Sequence, residues 1–202
     1  QTGDYLRIVP ERGGLITEWN CIGKDILYFD FERFLQQGKS IRGGIPILFP
    51  ICGSLPGGSK LKQHGFARDS SWQIEFLNTK NCLLLTLVDN ESTRELYPYS
   101  FCIEVKVKLK KDMLDFQIDI ANWSKKKMPF SFGLHPYFNV NDLSKTELIT
   151  TKKTDMKRII TLFFTLAVVS FSFGQSNATV KVKRSAQEAQ IKLGTTEVSI
   201  QP

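Results

Sequence analysis

Two consecutive stretches near the middle of the chain alternate apolar and polar side chains with a period of two. In FCIEVKVKLK, residues 101–110, the apolar side chains occupy every second position, at Phe101, Ile103, Val105, Val107 and Leu109. After a turn at 110–112, MLDFQIDIANW repeats the same habit. A period of two sends successive side chains to opposite faces of a strand, so one face is buried and the other is wet. Both stretches therefore predict strands of an antiparallel sheet.

The rest of residues 1–142 supports the same fold class. WQIEF (72–76) and CLLLTLV (82–88) are further strand candidates, DNES (89–92) is typical of a turn, and little in this part has helical periodicity. The apolar run SIRGGIPILFP (40–50) is interrupted by two glycines and a proline, which suits a loop entering a pocket better than a central strand. We predict an all-β fold, an antiparallel β-sandwich.

The character of the sequence changes at Met156. MKRIITLFFTLAVVSFSFGQ (156–175) has a charged start, an apolar run over Ile159–Phe173 and small residues near its end, which are the parts of a secretory signal peptide. The run is shorter than the about 20 apolar residues of a bilayer-spanning helix. A buried pair of strands or a core helix is the alternative. The sequence predicts two parts, a β-sandwich over 1–150 and an unrelated tail over 151–202.

The net charge of +7 argues against a nucleic-acid partner. Residues 151–202 hold eight Lys or Arg and three acids, so most of the positive excess lies in the tail. A nucleic-acid reader is expected to carry its basic stripe on the folded body, and none is predicted here. Membrane contact is expected only through 156–175. The four cysteines have neither CxxC pairing nor zinc spacing, so we predict reduced thiols and no metal site.

The histidine of FGLHPYF (132–138) is the first candidate for chemistry. An imidazole with a pKa near 6.5 exchanges a proton close to neutrality, whereas a carboxyl or an amine needs a large shift. Pro136 biases His135 toward an extended backbone, which suits a side chain that projects from a strand end into a cleft. A buried histidine in an aromatic core is the alternative.

Two arginines in other motifs suit an anionic ligand. Arg42 in SIRGGIPILFP and Arg68 in KQHGFARDSSW (62–72) carry planar, permanently charged groups that match a phosphate dianion. Surface or sheet-bridging positions are the alternative for both. Three aromatic residues are predicted to supply apolar walls for a sugar face: Phe49, Trp72 and Tyr137.

SIRGGIPILFP, KQHGFARDSSW and FGLHPYF, in this order and with strands between them, resemble the aldose 1-epimerase (mutarotase) family, most of all its hexose-6-phosphate mutarotase-like branch. The resemblance covers residues from about 5 to about 142. It implies a galactose mutarotase-like β-supersandwich with a sugar cleft across one sheet. It also implies an isomerase of the glucose-6-phosphate 1-epimerase kind, which interconverts the α and β anomers of an aldose, here a hexose 6-phosphate, without metal or cofactor.

The resemblance also implies roles for the motif residues. The histidine of HPYF, here His135, is the family's general acid at the ring oxygen, and that of HGFAR, here His64, holds the ring-oxygen region. In the phosphate-sugar branch, Arg42, Arg68 and Gln63 are implied to bind sugar hydroxyls and the 6-phosphate.

One element of the family pattern has no counterpart here. The family's general base is a glutamate far toward the C-terminus, and the late strand-like candidate, Glu197 in GTTEVSI, lacks the family's context. We therefore expect a truncated sandwich with impaired anomer interconversion, joined near Met156 to the start of an unrelated secreted protein. The alternative is a non-catalytic carbohydrate-binding β-domain or a fusion fragment. The partner of the mutarotase part is expected to be a small sugar or sugar phosphate in the cytoplasm.

Overall fold

The computed structural model describes residues 3–36, 38–55, 57, 59–111, 113–143 and 146, and the backbone of the strands at 160–163, 166–169 and 178–183. In chain order the helices and strands are β1 (Tyr5–Val9), β2 (Leu15–Cys21), β3 (Lys24–Asp25), α1 (Phe31–Leu35), β4 (Ile47–Leu48), β5 (Gln73–Phe76), β6 (Cys82–Val88), α2 (Glu91–Leu96), β7 (Phe101–Lys110), β8 (Met113–Asn122), β9 (Gly133–Leu134), β10 (Tyr137–Phe138), β11 (Ile160–Phe163), β12 (Leu166–Val169) and β13 (Ala178–Lys183). Short 3-10 turns lie at Pro10–Arg12 and Ala67–Asp69.

The largest sheet in the described part has the strand order β13-β8-β7-β6-β5, and all of its neighbours are antiparallel. Its register aligns the alternating apolar residues predicted from the sequence. Val105 pairs with Leu85 on one side and with Ile118 on the other, and all three are buried. Because directly paired residues point to the same face, this alignment gives the sheet one continuous apolar face. The predicted antiparallel all-β fold is confirmed.

A second sheet, β1-β2-β3, and the small sheet β4-β9 cover that apolar face. Trp19 of β2 and Phe49, next to β4, are both almost fully buried and join the same hydrophobic cluster as Phe101 and Phe116 of the large sheet. Apolar side chains of this size dominate the free energy of burial. The core therefore lies between the large sheet and the two smaller ones.

Two short helices interrupt the strands, and the sequence did not predict either. The stretch DNES was interpreted as a turn, but Asn90 caps helix α2, which begins at Glu91. The Asn90 side chain accepts from the backbone N–H of Thr93 (3.0 Å), and the backbone N–H of Asn90 donates to the Thr93 hydroxyl (2.8 Å). This reciprocal capping satisfies N–H groups that a helix start leaves without partners. A helix of six residues is too short to show a helical period.

Two of the three described strands in the last third pair with the β-sandwich through their backbones. β12 pairs with β10 and with β11, and β13 pairs with β8. Most of the signal-like segment 156–175, and Glu197, lie outside the described residues, so those predictions and the division into two parts at residue 150 remain predictions. No helix in the described part is long and apolar enough to cross a membrane.

Candidate functional site

Backbone pairing brings the three motifs of the sequence to one place. Strand β4 of SIRGGIPILFP pairs with strand β9 of FGLHPYF, and the backbone N–H of His135 donates to the Pro46 carbonyl at 3.0 Å. The Phe49 carbonyl accepts from the N–H groups of Phe66 (3.0 Å) and Ala67 (3.2 Å), which belong to KQHGFARDSSW. The three segments therefore lie side by side, although Arg42 and His135 are 93 positions apart in the sequence.

His135 is half-buried at the point where the three segments meet. Its ring stacks on Tyr137 with a centroid distance of 4.9 Å and an interplanar angle of 28°. The ring of His64 meets it edge-on at 5.4 Å and 73°. The Nδ1 atom of His135 is buried and makes no hydrogen bond to any described residue. A buried polar atom without a partner costs free energy, and this one leaves Nδ1 of His135 able to bond a ligand.

The surroundings of His135 favour its neutral form. Burial is the main cause, and the neighbouring His64 and the Arg68 guanidinium add to it, so that the pKa of His135 falls to about 4. Burial disfavours a charged imidazole, and nearby positive groups disfavour it further. Within the described part of the chain, no carboxylate acts on the pKa of His135 in the opposite direction. At neutral pH the ring is therefore uncharged.

His64 is held in one orientation by its backbone and by its ring. Its Nδ1 lies 2.6 Å from the Cys52 carbonyl, and because a carbonyl only accepts, Nδ1 carries the hydrogen and Nε2 is left as an acceptor. Burial and the Arg68 charge lower the pKa of His64, and the bond to Cys52 opposes them. The backbone of His64 is left-handed, with φ of 72°. Such a conformation is uncommon for a residue with a side chain, and it occurs here at a residue whose ring contacts His135.

The two motif arginines act on the same phenol. Burial raises the pKa of Tyr137, whereas the charges of Arg42 and Arg68 lower it. Arg42 is exposed, and Arg68 is half-buried with its Nε 3.8 Å from the Asp69 carboxylate. Tyr137 stacks on His135, so the charges of both arginines act next to the imidazole pair.

Gln63 belongs to the same segment, but its side chain is exposed. Its backbone carbonyl accepts from Nη2 of Arg68 at 3.2 Å. Arg33 of helix α1 was not predicted, yet its charge also lowers the pKa of Tyr137. It lies outside all three motifs, so no signal in the sequence pointed to it.

The predicted aromatic walls are only partly correct. Phe49 is 0% and Trp72 is 3% exposed, so both belong to the core and neither can face a ligand. The indole N–H of Trp72 donates to the Ala67 carbonyl at 2.9 Å. This buried bond attaches the HGFAR segment to the core. Tyr137 is half-buried beside His135 and keeps the predicted place. The sequence could not separate these aromatic residues because burial depends on their distant neighbours.

The four cysteines, all in the described part, form no disulfide. The described residues also hold no group of three or more His, Cys, Asp or Glu side chains that suits a metal ion.

Comparison with known proteins places this chain in a family. The family model described as aldose 1-epimerase matches residues 2–187. The chain belongs to the aldose 1-epimerase family. Among its relatives, proteins of Cenchrus ciliaris and Salmonella typhimurium, both named "Putative glucose-6-phosphate 1-epimerase", are 33% identical over 148 residues and 28% identical over 142 residues. These matches cover 67% and 68% of this chain but 44% and 46% of the relatives, so the chain spans about half of their length.

Two solved structures resemble this chain in fold. The Slr1438 protein from Synechocystis sp. PCC 6803 is 43% identical with a TM-score of 0.62, over 68% of this chain and 55% of that protein. A galactose mutarotase related enzyme from Lactobacillus acidophilus is 27% identical with a TM-score of 0.54, over 72% of this chain and 52% of that protein. The aldose 1-epimerase resemblance and the galactose mutarotase-like fold predicted from the sequence are confirmed.

Proposed function

We propose that this chain binds an aldose at the His64–His135 pair and takes part in the interconversion of its α and β anomers, with a hexose 6-phosphate as the substrate. The observation that carries the proposal is the edge-on contact of the two imidazoles at 5.4 Å beside Tyr137, on which two motif arginines act. The names of the relatives from Cenchrus ciliaris and Salmonella typhimurium point to the same substrate class.

In the proposed reaction, His135 is the general acid. Opening of the sugar ring breaks the bond between C1 and the ring oxygen, and the proton of the acid goes to that oxygen. The proton of the C1 hydroxyl goes to a base, C1 becomes an aldehyde, and rotation before closure yields either anomer. His64, whose Nε2 is an acceptor, is proposed to hold the ring-oxygen region.

A phosphorylated substrate suits the low pKa of His135. An imidazole with a pKa of about 4 is a poor proton donor at neutral pH. A phosphate dianion bound by Arg42 and Arg68, with Gln63 at the rim, offsets positive charge near the ring and raises the pKa of His135. The bound phosphate therefore favours the protonated form of His135, the proposed general acid. A neutral sugar has no such effect.

The proposed reaction also needs a general base that accepts the proton of the C1 hydroxyl. Within the described part of the chain, no carboxylate is among the groups that shift the pKa of His135, and we propose that turnover by this chain is impaired. A missing acid–base partner removes roughly a 10²–10⁴-fold contribution to the rate. Hydroxide or buffer then has to accept the proton of the C1 hydroxyl.

We also propose a reducing compartment such as the cytoplasm for the reaction, in keeping with four cysteines that form no disulfide.

Exchange NMR or polarimetry on freshly dissolved α-glucose 6-phosphate tests the function. We expect the wild type to accelerate anomer exchange over buffer alone and His135→Ala to lose at least tenfold of that acceleration. Arg7→Ala is the control, because Arg7 is exposed and pairs with Glu18 on strands β1 and β2. Equal rates for the wild type and His135→Ala would exclude catalysis by His135.

A second candidate is a carbohydrate-binding domain without turnover, and the lack of a described carboxylate acting on His135 favours it. It predicts saturable binding of glucose 6-phosphate with exchange no faster than in buffer. Binding measured by calorimetry beside the exchange rate therefore separates the two candidates.

A further inference from the structure

Helix α1 is fixed at both ends beside the segment that carries Arg42. At its start, the Asp30 carboxylate accepts from the backbone N–H of Arg33 at 2.9 Å, and the backbone N–H of Asp30 donates to the Arg42 carbonyl at 3.0 Å. At its end, the Arg12 guanidinium donates to the Phe34 carbonyl and lies 4.4 Å from the centroid of the Phe34 ring. A helix of five residues has little stability of its own, so these contacts decide its position.

The side chain of Arg33 is anchored by two hydrogen bonds and still has N–H donors for a further acceptor. Its Nε donates to the Ser40 carbonyl at 2.8 Å, and its Nη2 lies 3.3 Å from the Ser40 hydroxyl. A guanidinium has about five N–H donors in a rigid plane, so these bonds leave about three of them for another acceptor. Ser40 lies two residues before Arg42, and both arginines are thus attached to the same short segment.

Three arginines from three different segments act electrostatically on Tyr137. Arg33 comes from helix α1, Arg42 from the loop before β4, and Arg68 from the 3-10 turn of HGFAR, and each acts on the Tyr137 phenol. Among the ion pairs of the described residues, only that of Arg68 with Asp69 involves one of the three. The side chains of Arg33 and Arg42 thus bring positive charge that no described carboxylate pairs with.

We propose that Arg33 is a third anion-binding residue of the site and that it gives a phosphorylated aldose its advantage over the neutral sugar. The inference rests on the proposed function and names a residue outside the family motifs. The two bonds to Ser40 hold the guanidinium in place before a ligand arrives, so little side-chain entropy is lost on binding. A phosphate dianion accepts charge-assisted bonds from the remaining N–H groups, and a neutral hydroxyl gains much less from them.

Calorimetric titration of the whole chain at low ionic strength tests the inference, with glucose 6-phosphate, glucose and inorganic phosphate as ligands. Arg33→Ala is expected to weaken glucose 6-phosphate on the order of tenfold, in line with one charge-assisted bond, and to leave glucose unchanged. Arg33→Lys is expected to recover part of the loss, because it keeps the charge but not the planar fork toward Ser40. Arg7→Ala is the matched control and is expected to bind all three ligands like the wild type.

Three outcomes would overturn the inference. The first is an unchanged affinity of Arg33→Ala for glucose 6-phosphate, and the second is an equal loss for glucose and glucose 6-phosphate, which indicates a purely structural role. The third is a wild type that binds glucose 6-phosphate no more tightly than glucose. Anomer exchange by the wild type and His135→Ala is a separate measurement, so catalysis by His135 is judged independently of the role of Arg33. The midpoint of thermal unfolding checks that Arg33→Ala is folded.

Discussion

His135 shows how a tertiary environment changes the chemistry of one side chain. An exposed imidazole has a pKa near 6.5, but burial and the neighbouring positive groups bring that of His135 to about 4. The rings of His64 and Tyr137 both contact His135, and His64 also contributes to the lowered pKa. The pKa of His135 therefore affects both the stability of the folded chain and proton transfer at the site.

The depressed pKa of His135 predicts a dependence of stability on pH. Between pH 6.5 and pH 4 the unfolded chain binds more protons at this group than the folded chain, so the free energy of unfolding falls as the pH is lowered through that window. The loss from His135 amounts to about 3 kcal/mol at most, since its pKa is about 4 when folded. Urea unfolding at a series of pH values measures it.

His135→Gln is the control for this prediction. Aspartate and glutamate side chains titrate in the same window, and the variant keeps all of them. The difference in unfolding free energy between the wild type and His135→Gln should therefore change with pH below 6.5 and stay constant above it. Parallel pH curves would contradict the low pKa of His135.

Gly65 sets the turn that presents His64. Its φ is +71°, and a Cβ at this position would overlap the Phe49 carbonyl and lie 2.8 Å from the Pro50 nitrogen. Gly65→Ala is expected to lower the free energy of unfolding by roughly 1–3 kcal/mol, because both the backbone angle and the contact are unfavourable. Gly53→Ala is the control, because nothing lies within 4 Å of a Cβ there, and we expect a change within about 0.5 kcal/mol. Equal effects in urea unfolding would show that the close approach is relieved at no cost.

At the scale of elements, strand β5 contrasts with the rest of the large sheet. All four of its residues are exposed, and among the described strands it pairs only with β6. Phe76 pairs with Leu83 and so lies on the apolar face, yet it is 78% exposed. An apolar side chain on an edge strand with unpaired backbone groups favours pairing between chains.

Phe76→Lys is therefore expected to reduce concentration-dependent self-association, measured by light scattering. The free energy of unfolding should change by less than about 0.5 kcal/mol, since the side chain is mostly exposed. Gln73→Lys adds the same charge to the same edge but on the opposite face, as its partner Thr86 indicates, and keeps Phe76 in place. If Gln73→Lys reduced association to the same extent, net charge and not the apolar edge would be the cause.

At the scale of the whole molecule, the site depends on the pairing of β4 with β9. This pairing joins Ile47 to Leu134 and Leu48 to Gly133, directly before His135. The same apolar residues that complete the core thus position the histidine. A cavity in the core next to this strand pair should therefore weaken ligand binding. A cavity of similar size elsewhere in the core should not.

A pair of leucine substitutions tests this coupling. Leu134 is 2% and Leu114 is 0% exposed, so Leu134→Ala and Leu114→Ala should each lower the free energy of unfolding by about 2–5 kcal/mol. Only Leu134→Ala is expected to weaken the binding of glucose 6-phosphate as well, at a temperature where both variants are folded. Equal binding by the two variants would show that the position of His135 does not depend on the packing beneath it.

The sequence by itself determined strands β5 to β8 of the large sheet and the three motifs, whereas β13 was not predicted as part of that sheet. A strand such as β7 is encoded by its own alternation, and a motif such as FGLHPYF is a local pattern, so neither requires knowledge of distant residues. The short helices α1 and α2 were missed because they have too few residues for a period and depend on caps such as Asn90.

Only the tertiary structure decided which side chains meet. It buried Phe49 and Trp72 in the core while leaving Tyr137 beside His135, and it added Arg33 to the arginines around that phenol. It also set the pKa of His135, which depends on burial and on charges brought close by strand pairing. These properties belong to residues far apart in the chain, and the physical reason is that desolvation and Coulomb interactions depend on distance in space and not on position in the sequence.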